Sequence, residues 1–205
     1  MSIEELRARA KRMPEDALFS GNTAAWLHGM DYPFEPIEVT LPSTSQTSHL
    51  AGARVRRSDY TPEDACEVRG VAATSRIRTV ADMARHASLV EGVAVVDMAL
   101  RARIVTIDDL RAWIRDHARH PGIGRLTRAI ALADPASESP MESRLRALMV
   151  AAGLPKPLVQ HSLYDPDGLF VARPDLLYPE QRLAIEYSER PIAKVSRPIT
   201  TDRTA

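Results

Sequence analysis

Two carboxylates near the end of the chain, Asp175 and Glu186, stand where they could hold a metal ion together. Asp175 falls late in the apolar run Leu169 to Leu177, and Glu186 closes the run Leu183 to Tyr187. If both runs are strands joined by a turn over Tyr178 to Arg182, the two acids meet on one side of a small sheet. Hard oxygen ligands of that kind suit Mg²⁺. A bound Mg²⁺ polarises a phosphoryl group and activates a water, the chemistry of phosphodiester hydrolysis. Asp175 and Glu186 are therefore candidate metal ligands and candidate catalytic residues. The plainer reading of each is a surface carboxylate. Two positions after Glu186 stands Ser188, whose hydroxyl carries no charge and is a poor base near neutral pH.

Other residues of chemical interest have simpler explanations. Glu142 could add a third carboxylate. It also lies three residues after Ser139, with Pro140 between them, and that spacing is a capping box at a helix start. His117 and His120 are three apart at an expected helix end, where basic side chains complement the helix dipole. His161 falls in the hairpin region and reads as an exposed strand residue. Arg101, Arg103, Arg111, Arg115, Arg119, Arg125 and Arg128 outnumber the acids around them and could contact phosphates. Solvated helix faces are the commoner meaning of such a pattern. Trp26 and Trp113 sit in amphipathic patterns and read as core anchors.

The elements that must position these groups follow from the hydrophobic pattern. Caps and periodicity predict helices over Ser2 to Arg12, around Ala24 to Leu27, from Ser75 onward, over Val90 to Leu100, and after Thr106. Further helices follow Pro121-Gly122-Ile123-Gly124 and run from Ser139 to Gly153. Strands are expected over Pro36 to Leu41, Arg54 to Arg57, Glu67 to Ala73, Leu158 to Tyr164, Leu169 to Leu177 and Leu183 to Tyr187, with a loop over Ser43 to Ser48. The sequence Asp165-Pro166-Asp167-Gly168 suits a tight turn, because Pro presets φ and Gly accepts positive φ. The fold class is α+β. A first unit over 1–134, a linker at Asp134 to Ser137, a second unit over 139–187 and an irregular or disordered tail over 188–205 are expected.

Length and composition set outer limits. With 205 residues, 44% of them hydrophobic, the chain can bury a substantial core. Its 27 Lys and Arg balance 27 Asp and Glu, so no global charge recruits nucleic acid or membrane. The single Cys66 excludes an internal disulfide and suits a cytoplasmic protein. No apolar run is long enough to span a bilayer, so no membrane association is expected.

Two resemblances cover nearly the whole chain to Tyr187. Glu138 to Arg146, together with the phrase from Asp175 through Glu186-Tyr187, resembles a bacterial family of unknown function related to Vsr endonucleases, a branch of the PD-(D/E)XK nucleases. Ala24-Ala25-Trp26-Leu27-His28-Gly29, Ile37 to Thr40, Thr74 to Asp82 and Gly122 to Arg125 resemble AbiEi-type antitoxins. The first resemblance implies a Mg²⁺-dependent DNA endonuclease with Asp175 and Glu186 as metal ligands and catalytic acids. In that family the third position usually holds Lys, where this chain has Ser188. Relatives also carry further strands beyond the Glu186 strand and a winged helix at the start. The expectation is a truncated, inactive nuclease relative with a partial helix-plus-three-stranded-sheet domain behind a mixed α/β antitoxin-like domain. Its last strand would be an open edge available for self-association. The alternative is an antitoxin or regulator of a toxin–antitoxin system, with DNA or a nucleotidyltransferase-type toxin as partner.

Overall fold

The computed structural model describes residues 2–31, 36–47 and 49–188. The tail expected to be irregular lies outside the described residues from Glu189 onward, as does Ser48 of the expected loop. The chain begins with α1 (Ile3–Ala10), capped at Ser2 by a reciprocal bond with Glu5. A short strand β1 (Leu18–Phe19) precedes α2 (Gly21–Leu27). Next come β2 (Ile37–Leu41), β3 (Ala53–Arg57), a 3₁₀ turn at Pro62–Asp64, β4 (Ala65–Val68) and β5 (Val71–Thr74). The single strand expected over Glu67 to Ala73 is thus a hairpin. Arg69 and Gly70 both take positive φ at its tip, a conformation that Gly signals and Arg does not.

These five strands form one sheet in the order β3-β2-β1-β5-β4. Two of its pairings are parallel, β2 with β3 and β1 with β5. The two-residue β1 is central, yet too short to show any alternation, which is why sequence reasoning passed over it. Ile37, Val39 and Leu41 of β2 face one way into an apolar cluster with Leu6, Phe19 and Leu27. Glu38 and Thr40 alternate with them along the strand and point to the opposite face.

Four helices follow: α3 (Arg76–His86), α4 (Leu89–Arg101), α5 (Ile107–Asp116) and α6 (Ile123–Leu132). Each of α3, α4 and α5 starts at a Ser or Thr whose hydroxyl accepts a bond from a backbone N–H of the first turn. Helix α6 starts instead at Gly122 in the left-handed conformation. Val80, Val93, Val96, Leu110, Trp113 and Leu126 make the larger apolar cluster where these helices meet. Trp113 is the core anchor the pattern implied.

Helix α7 (Pro140–Ala151) packs along α4 and contributes Ala147 to that same cluster. Its Arg146 is fully buried and pairs with fully buried Asp97 of α4, and Arg146 also donates to the Leu132 carbonyl. Across the expected boundary at 134–139, then, an ion pair and a shared core join the two units.

Beyond α7 the strands are shorter than expected. Leu158 to Tyr164 divides into β6 (Leu158–Val159) and β7 (Leu163–Tyr164), because Gln160 takes positive φ. Leu169 to Leu177 divides into β8 (Phe170–Ala172) and β9 (Leu176–Tyr178) around Arg173-Pro174, where Pro lacks the N–H a ladder needs. Strand β10 (Leu183–Ile185) follows. The expected three-stranded sheet is present in the order β10-β9-β6, while β7 and β8 form a separate ribbon.

Candidate functional site

The antiparallel register of β9 and β10 brings the two predicted acids together. Leu176 is opposite Ile185, so Asp175 and Glu186 follow one step further along the same ladder. Asp175 precedes its strand and Glu186 follows its own. The Asp175 carboxylate accepts 2.8 Å bonds from the Tyr187 backbone N–H on one oxygen and from the Gln160 side-chain amide on the other. Partial burial, then the nearby negative charges of Asp175 and Glu142, push the Glu186 carboxyl up from its usual range. The like-charge part of that shift is what neighbouring acids produce.

Glu142 also reaches this cluster, so the cap reading covers only half of what it does. The Ser139 hydroxyl accepts from the Glu142 N–H at 3.2 Å, the expected half of the box. The Glu142 carboxylate accepts from the N–H of Glu138, one residue before the cap, and from the Gln160 amide at 3.1 Å. Gln160 thereby bridges Glu142 and Asp175. Sequence reasoning missed Gln160, because only the positive φ at this position turns its amide between the two acids. Ser188 is exposed, two residues past Glu186. Among the described residues, no three His, Cys, Asp or Glu side chains form a group arranged to hold a metal ion.

The phrase Thr74 to Asp82 proves to be structural. Arg78 is almost fully buried and donates to Asp82 at 2.7 Å, to Asp64 at 2.8 Å and to the Ser58 hydroxyl at 2.8 Å. Arg85 binds the other Asp82 oxygen at 2.6 Å and the Pro121 carbonyl at 2.8 Å. Two arginines sharing one aspartate thus tie the 3₁₀ turn and α3 to the start of α6. Spacings of four and three residues on one helix, Arg78 to Asp82 and Asp82 to Arg85, were the available signal.

The histidines serve local roles. The His28 ring donates through Nε2 to the Thr74 carbonyl at 2.8 Å. Its burial, helped by Arg76 and Arg69, holds its pKa below the usual 6.5. His117 ends α5, donates from Nδ1 to the Trp113 carbonyl at 2.9 Å and stacks on the Trp113 ring. It satisfies the helix end, as expected of a basic residue there. His161 is exposed. All seven arginines singled out between Arg101 and Arg128 are exposed, in keeping with solvated helix faces. Trp26 is only half-buried, with the Arg69 guanidinium 5.1 Å from its ring centre. No helix among the described residues is long and apolar enough to cross a membrane.

Comparison with known proteins places these features. Residues 17–132, the span from β1 to α6, match the AbiEi antitoxin C-terminal domain family. Two uncharacterized proteins of Mycobacterium tuberculosis, MT2308 and Rv2248, are each 29% identical over 173 residues, covering 80% of this chain. The chain spans 60% of the length of these relatives. The RV2827C protein from Mycobacterium tuberculosis aligns in crystal structure over 80% of this chain and 66% of its own, with 16% identity and a TM-score of 0.41. A likeness that distant carries no statement of shared function.

Proposed function

Because the chain belongs to the AbiEi antitoxin C-terminal domain family, we propose that it acts as the antitoxin or regulatory component of a toxin–antitoxin pair. The observation that carries this reading is the coincidence of the matched span with the sheet and the helices beside it. Residues 17–132 enclose the five-stranded sheet and the four helices packed beside it. The partner in this reading is a nucleotidyltransferase-type toxin or the operator DNA of the pair. A balanced net charge supports a protein partner over a broad electrostatic grip on DNA. The test is co-expression of the full chain with a nucleotidyltransferase-type toxin, after the genes neighbouring its own have been searched for one. Relief of growth arrest together with co-purification supports the proposal. Persistent arrest, with no complex and no binding to the promoter region, rejects it.

A second reading concerns residues 139–187. The adjacency of Asp175 and Glu186 supports a nuclease-derived acidic pair that binds Mg²⁺ weakly and does not cut DNA. Both Asp175 oxygens already accept bonds from the chain, and Ser188 supplies no charge at the third position. Titration calorimetry with MgCl₂ should give weak heats that vanish in Asp175→Asn. Heats unchanged by that substitution would locate any Mg²⁺ elsewhere.

A further inference from the structure

The face of the sheet opposite the apolar cluster is polar where β2 and β3 run side by side. Glu38 is opposite Arg54 and Thr40 opposite Arg56, and all four alternate away from Ile37 and Val39. The end of α3 and the first part of α4 complete the walls of a cavity of about 270 Å³ over this face. Met83 and Val95 provide an apolar side, and Asn22 and His86 are also on the wall.

Two features of this cavity are left unpaired among the described residues. Thr40 is 1% exposed, yet its hydroxyl has no hydrogen-bond partner. Leaving a buried hydroxyl unpaired is unfavourable, so such groups call for a reason. The second feature is charge. Each carboxylate on the wall is already engaged: Glu38 by Arg54 at 3.1 Å, Asp82 by Arg78 and Arg85, and Glu91 by Arg144 at 2.7 Å. Arg56, beside Thr40, is exposed and makes no ion pair among the described residues. A cavity with balanced acids, one surplus guanidinium and one unused hydroxyl is complementary to an anion.

We propose that this cavity binds a small organic phosphate, with the phosphate on Arg56 and the Thr40 hydroxyl and the organic body against Met83 and Val95. A phosphate, with more oxygens than a carboxylate, can use the Asn22 amide as well as Arg56 and Thr40. The apolar side favours a ligand with a compact body over inorganic phosphate. The volume limits that body to a small molecule. His86 adds a consistent detail, since burial, and then crowding by Arg85, Arg56 and Arg125, holds its pKa at about 4. An anion placed among those charges would raise it.

The experiment is a ¹⁵N NMR titration of the full chain with phenyl phosphate, inorganic phosphate and benzoate as separate probes. Phenyl phosphate should shift the Thr40, Arg56 and His86 amides to saturation, with inorganic phosphate and benzoate each weaker by about tenfold or more. Arg56→Gln should weaken phenyl phosphate by about tenfold or more while leaving the thermal midpoint unchanged. Thr40→Val should weaken it severalfold without loss of stability, because a hydroxyl with no partner contributes nothing to the fold. Absence of saturable shifts at these residues overturns the proposal, as does benzoate binding as tightly as phenyl phosphate. Binding that is indifferent to Arg56→Gln, or a large drop in stability from Thr40→Val, overturns it too.

Discussion

Replacing Gly122 by Ala should destabilise the fold sharply, while the same change at Gly124 should not. Gly122 precedes α6 with φ 85° and ψ 2°, in the left-handed region. An L-residue there costs about 1–2 kcal/mol. A Cβ on Gly122 would also collide with the carbonyl oxygen of Arg85 and lie 3.1 Å from its carbon. That neighbour is backbone, and the Arg85 side chain is pinned by Asp82 and Pro121, so it has little room to yield. Overpacking of this kind costs about 1–3 kcal/mol more. Restricting the unfolded chain returns about 0.4–1 kcal/mol. The net loss is about 3 kcal/mol. For a chain of this length that lowers the thermal midpoint by roughly 6–12 °C. Gly124 lies within α6, and a Cβ there meets nothing within 4 Å. Ala at that position should stabilise the helix by about 0.5–1 kcal/mol at most. Thermal and urea unfolding followed by circular dichroism, on both variants in parallel, would measure the contrast. Equal midpoints for Gly122→Ala and the parent chain would refute the assignment of Gly122 to backbone geometry.

Three further outcomes are expected. Arg146→Met strands Asp97 without its charge partner in a site where both are fully buried, and should cost about 3–5 kcal/mol; adding Asp97→Asn should recover much of this in urea unfolding, and a loss confined to the first variant's solubility would count against it. His86 is held near pKa 4 in the folded chain against 6.5 when free, so the unfolded state takes up its proton first as pH falls. Its penalty is absent above pH 6.5 and grows down to about pH 4, and urea midpoints of His86→Gln should fall less steeply over that window than those of the parent. On the β7–β8 ribbon, Phe170 and Val171 are both 61% exposed, and β10 is an edge of its three-stranded sheet. If these support self-association, sedimentation should show a concentration-dependent larger species that Phe170→Asp diminishes, and a monomer at every concentration rejects the idea.

Local chemistry made much of the fold legible. Helices α3, α4, α5 and α7 each announce themselves by a Ser or Thr cap and an apolar stripe, features that act over four residues and need no tertiary partner. The resemblance to AbiEi-type antitoxins, read from short phrases, led to the family that the matched span establishes. Asp175 and Glu186 were legible as a pair because a strand–turn–strand pattern carries its own register. Strand lengths were less legible. Positive φ at Arg69 and Gln160 breaks runs that composition alone would continue.

What only the tertiary structure decided is where charge goes when it is buried. Nothing in the sequence around Arg146 or Asp97 distinguishes them from the exposed arginines and aspartates nearby, because burial depends on which helix faces meet. The same holds for Glu142, whose spacing from Ser139 specifies a cap, while its meeting with Gln160 and Asp175 required α7 and β9 to be assembled. It holds most of all for the cavity beside Thr40. Alternation along β2 determined that Glu38 and Thr40 share a face, since side chains in a strand alternate with period two. That α3 and α4 would close over that face and leave a hydroxyl without a partner is a property of packing, to which no local pattern has access.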